Sequence, residues 1–72
     1  MPKRKTKDTE ERIFFVSCII ERYKKKKRLT GNVVATLFRE KNITQWLYDN
    51  YETLHSESED NVVHEIGELF GI

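Results

Sequence analysis

A single cysteine, Cys18, excludes any intrachain disulfide in this 72-residue chain. Small secreted domains usually lean on several disulfides, so a reducing, cytoplasmic setting is expected. One proline, Pro2, and three isolated glycines, Gly31, Gly67 and Gly71, leave few helix breakers and no glycine-rich loop to cradle a phosphate. Long apolar runs are also missing. The longest covers residues 13–16, with residues 18–20 following Ser17, far short of a membrane span. The basic N-terminus has no apolar stretch or cleavage site behind it, so no signal peptide is expected. Cys18, His55 and His64 are scattered and fall short of the four spaced ligands that a structural zinc requires. No catalytic set, metal or cofactor is expected, and the chain reads as a non-enzyme.

What the chain does have is charge, unevenly placed. Thirteen Lys/Arg face twelve Asp/Glu, a net of +1. Residues 1–28 hold eleven Lys/Arg and four Asp/Glu, a net of +7, and residues 29–72 hold two and eight, a net of −6. Such a split points to a charged partner or to complementarity within the fold. A chain this short buries only about 60% of its unfolded surface, which limits it to one domain with a small core and no deep cleft.

Apolar spacing predicts a compact all-α domain of about four short helices over residues 9–72, behind a flexible basic tail over residues 1–8. The first helix is expected to start near Asp8 or Thr9, with Glu10 and Glu11 in its first turn. At about a hundred degrees per residue, Ile13, Val16, Ile19, Ile20 and Tyr23 share its broad face, with Phe15 at the edge. Thr30 is expected to cap a second helix bearing Val33, Val34, Leu37 and Phe38, with Asn42 as its stop. Thr44 is expected to cap a third, with Leu47, Tyr51 and Leu54 on one side. Ser56 or Ser58 would cap a fourth, bearing Val62, Val63, Ile66, Leu69 and Phe70. Val16, Ile20, Leu37, Leu47, Leu54 and Ile66 are expected to be buried. Gly67, inside an apolar face, predicts close approach or early fraying.

Several segments in this order carry a family resemblance. The first helix contains Phe14, Phe15, Val16, Cys18 and Ile19; Thr30 and Gly31 follow, then Leu37 and Phe38, then residues 43–47. The sequence Tyr51-Glu52-Thr53-Leu54-His55 comes next, then an acidic segment leading to Val62, Val63 and Ile66. From Phe14 to about Phe70 the chain resembles the small bacterial family called domain of unknown function 3791, whose members share a Tyr-x-x-Leu-His segment. It departs from the family pattern at Ser56-Glu57-Ser58 and in the weight of its basic run. The resemblance implies a bacterial, accessory or antitoxin-like binding role beside an ADP-ribosyltransferase-like toxin, rather than catalysis.

Two classes of function stay open on the residues. The first is a protein-binding accessory module with Phe14, Asp49, Glu52, His55, Glu57 and Glu59 as candidate contacts. Phe14 projects away from the main face of its helix, near Cys18, and is either covered by another helix, the favoured reading, or free for a partner. His55 is either a contact residue or, as favoured, a helix-end ring resting on a backbone carbonyl. The second class is a nucleic-acid-binding regulator using Lys24, Lys25, Lys26, Lys27 and Arg28. The second and third helices have the cadence of a helix-turn-helix, but residues 45–54 carry Asp49 and Glu52 and no Lys or Arg, a poor reader of phosphate-lined grooves.

Overall fold

The computed structural model describes residues 2–72, with side chains from Asp8 onward. Five helices follow one another: α1 Pro2–Lys27, α2 Gly31–Glu40, α3 Ile43–Asp49, α4 Tyr51–Leu54 and α5 Glu59–Phe70. No strand occurs among the described residues. The all-α single domain expected from the spacing is the fold observed.

The first helix starts earlier than expected, at Pro2 rather than Asp8 or Thr9. Proline suits the first helical position, because its φ is preset and its missing N–H would be unsatisfied there anyway. No breaker follows it before Arg28. Glu10 and Glu11 therefore lie beyond the first turn, which contains no acidic residue, and they are released from the dipole role the sequence suggested. The helix stops at Arg28, a non-glycine residue in the left-handed region (φ 57°), and the Leu29 N–H reaches back to the Lys24 carbonyl at 3.0 Å.

Thr30 caps α2 as expected, its hydroxyl accepting from the Val33 N–H. Asn42, at φ 61°, turns the chain out of α2. Asparagine tolerates this left-handed conformation better than most residues. Thr44 does not cap α3. It lies inside the helix, and Asn42 occupies the cap position without a side-chain bond. The expected third helix is broken at Asn50, whose side-chain amide donates to the Trp46 carbonyl at 2.9 Å. An asparagine side chain that competes for backbone groups favours such breaks. Of the two serines proposed for α5, Ser58 is the cap, accepting from Asn61 N–H at 3.1 Å, while Ser56 donates to the Thr53 carbonyl.

Gly67 is explained by approach rather than fraying. A Cβ there would sit 3.1 Å from the Ile72 carbonyl oxygen, because Gly71 (φ 70°) turns the C-terminus back over α5.

The core forms where α1 packs against α2, α3 and α5. Val16, Ile19 and Tyr23 from α1 meet Val34, Phe38, Ile43, Leu47, Leu54, Val62, Val63 and Ile66. Tyr23 meets Phe38 edge to face at 5.1 Å, and Trp46 closes on Phe70 in the same way at 5.5 Å. Four of the six positions singled out for the core are buried. Ile20 and Leu37 lie only at its edge. A stripe drawn at 100° per residue is wider than the contact a small partner helix can cover, so its outer members stay partly wet. Ile13, Val33 and Leu69 are exposed for the same reason.

Truncation should separate the centre of the core from its edge. Phe38→Ala should cost about 3–5 kcal/mol, a large part of the roughly 4–11 kcal/mol available to a domain this size. Leu37→Ala should cost clearly less. Equal losses in urea melts would contradict this division.

Candidate functional site

The face of α1 opposite the core is not covered by any other helix. Phe14 stands 71% exposed on it. The covered reading of this residue is thus overturned: α1 enters the core through Val16, Ile19 and Tyr23, and Phe14 is not among them. Beside Phe14, between α1 and the α4–α5 connection, lies an open groove of about 720 Å³. Phe14, Phe15, Cys18, Tyr51 and His55 form its apolar floor, and Glu10, Glu11, Glu57, Ser58 and Glu59 its polar rim. No lysine or arginine among the described side chains lines it. Past Cys18 a shallower extension of about 290 Å³ continues along α1 to Glu21, Arg22 and Lys25. The trough is therefore acidic at one end, aromatic in its middle and mixed in charge at the other.

Local contacts fix the floor. Phe15 meets Tyr51 edge to face at 5.5 Å, and Tyr51 stacks on His55 at 4.6 Å with the rings 15° apart. His55 Nδ1 lies 2.8 Å from the Tyr51 carbonyl. A carbonyl only accepts, so Nδ1 carries the proton. The favoured reading of His55, a helix-end ring on a backbone carbonyl, describes this geometry, and the ring also lines the groove. Burial pushes the Cys18 thiol upward, with Glu59 adding to the effect, which disfavours a reactive thiolate.

Arg12 holds the rear of this wall together. Its side chain, 16% exposed, bonds Asp8 at 2.9 Å, lies 3.6 Å from Glu52 and donates to the Tyr48 carbonyl. Its guanidinium lies 5.5 Å from the Tyr48 ring centre and 5.4 Å from that of Tyr51. Bonding to Asp8 raises its pKa.

The structure brings Phe14, His55, Glu57 and Glu59 together in the groove and leaves out Asp49 and Glu52. Asp49 accepts from Gln45 on its own helix, and Glu52 belongs to Arg12. Glu10, Glu11, Phe15 and Tyr51 were not among the sequence candidates. The spacing of Glu10, Glu11, Phe14 and Cys18 at three and four residues along one helix was the signal available for the first two.

The basic run is largely engaged within the chain. Lys24 pairs with Glu21 at 3.2 Å, Lys26 approaches Asp60 at 3.9 Å, and Lys27 lies 5.9 Å from the Tyr23 ring centre. Arg22 grips Asp60 with two bonds of 2.8 and 3.0 Å, which pull the Asp60 pKa down. The opposite charges of the two halves thus meet across the surface of the fold at Arg22–Asp60, Lys26–Asp60 and Arg12–Glu52.

Among the described residues no group of three or more His, Cys, Asp or Glu is arranged to hold a metal ion. No described helix is long and apolar enough to cross a membrane. A family model described as "Protein of unknown function (DUF3791)" matches residues 14–70. No curated protein and no solved structure matches the chain.

The rim carries one strained electrostatic pair. Glu57 beside Glu65 raises the Glu65 pKa; His64 opposes the shift weakly, and Asn61 donates to Glu57 at 2.6 Å. A carboxyl held above its usual range binds its proton more tightly folded than unfolded, so stability falls as pH rises through that range. Glu65→Gln should therefore raise the melting temperature at neutral pH, and the gain should vanish below about pH 4. A gain independent of pH would contradict the pairing.

Proposed function

The chain belongs to the DUF3791 family, and from the geometry of its groove we propose that it is a protein-binding accessory module that receives an amphipathic, basic segment of a partner protein. The observation that carries the reading is Phe14, 71% exposed beside a rim of four glutamates with no cation among the described lining residues. An uncovered aromatic supplies the desolvation that makes an anchor, and the glutamates supply attraction and orientation. The second exposed apolar patch, Val33 and Leu37 with Asn32, Thr36 and Glu40 on α2, has no comparable charge of one sign around it. The more specific form of the proposal is an antitoxin-like component of a bacterial, cytoplasmic toxin–antitoxin pair, with an ADP-ribosyltransferase-like toxin as partner. That form rests on the family resemblance. The nucleic-acid alternative is the weaker reading, because Lys24, Lys26 and Lys27 are already engaged in the chain.

The test uses the purified product of the neighbouring gene. Phe14→Ser removes the anchor from an exposed position and should weaken binding at least about tenfold, mainly through faster dissociation. Glu10→Lys with Glu59→Lys should mainly slow association, and added salt should erase that difference. Binding unchanged in both variants would overturn the docking site. Micromolar duplex binding at physiological salt, lost when Lys24, Lys25, Lys26 and Lys27 are neutralised, would favour the nucleic-acid reading instead.

A further inference from the structure

Arg12 shows how this fold holds a guanidinium. Two aromatic rings, Tyr48 and Tyr51, flank it, and Asp8 and Glu52 neutralise it. The groove on the other side of Phe15 presents the same ingredients with no cation among the described side chains: the rings of Phe14, Phe15 and His55, and the carboxylates of Glu10, Glu11, Glu57 and Glu59. We propose that the groove is a socket for one arginine side chain projecting from the docking segment of the protein partner. This deepens the protein-binding reading and rests on it.

The ring of His55 selects a guanidinium over an ammonium. His55 is exposed and stacks on Tyr51 through one face, at 4.6 Å, which leaves its other face as a flat platform. A planar guanidinium can lie on such a ring while its N–H groups donate sideways to carboxylates, and an ammonium cannot stack in this way. Glu57, in turn, is crowded by Glu65. A cation beside Glu57 offsets the repulsion between the two carboxylates. An arginine also reaches far enough to cross Phe14 while its stem lies on the ring.

The test titrates the full-length, nitrogen-15-labelled chain with three helical peptides that share one leucine-rich face. Their flanking residues are arginine, lysine or citrulline, the last being the uncharged shape-mimic of arginine. The arginine peptide should move the amide signals of Phe14, Phe15, Cys18, Tyr51 and His55. The lysine peptide should bind about fivefold more weakly, and the citrulline peptide more weakly still. His55→Leu, an exposed substitution, should bring the arginine peptide down to the lysine level. Equal affinity for arginine and lysine, or no effect of His55→Leu, overturns the arginine socket and leaves the docking groove standing. No binding by any peptide, or shifts confined to other faces, overturns the groove along with the socket.

Discussion

One constraint organises this molecule: a single long helix must supply one side of the whole core. At about 1.5 Å per residue, the 26 residues of α1 span roughly 39 Å, matching the 40 Å long axis of the protein. The other helices are short, and α2, α3 and α5 all gather on the stripe of Val16, Ile19 and Tyr23. None of them could hold its shape alone in water, so their order depends on that stripe. The same arrangement leaves the opposite side of α1 without a cover. Phe14 is exposed because the core is built on the Val16, Ile19 and Tyr23 stripe instead.

Much of the fold was legible because amphipathic spacing and capping residues act locally. Thr30 announced α2, Ser58 was one of two serines proposed for α5, and the apolar faces pointed inward. The failures share a different cause. The start at Pro2, the break at Asn50 and the half-wet positions of Ile20 and Leu37 depend on competition that spacing does not encode. At Asn50 a side chain contends for the Trp46 carbonyl. At Ile20 and Leu37 the limited width of the packing partner decides.

The candidate site was half legible for a similar reason. Phe14 stood out because it broke the pattern of its own helix, and His55, Glu57 and Glu59 sat in an acidic segment. Charge alone also nominated Asp49 and Glu52, and only the packing of α1 on α3 and α4 shows that Arg12 claims Glu52. Glu10 and Glu11 were read as helix-dipole residues because the helix was expected to begin beside them. Once α1 extends to Pro2, they become the near rim of a groove whose far rim, Glu57 and Glu59, comes from the other end of the chain. The +7 and −6 halves are thus a poor guide to the surface. They pair with each other on the surface at Asp60 and Arg12, and the acidic rim draws on both.

The most direct measurement of the central claim, that the uncovered face of α1 is the docking surface, is a set of intermolecular nuclear Overhauser effects between this chain and a bound arginine-bearing helical peptide. The expected result is contact from the ring protons of Phe14, Phe15 and His55 to the peptide's apolar face and arginine stem. Contacts confined to Val33 and Leu37 on α2, or to the residue 24–28 end of α1, would contradict it.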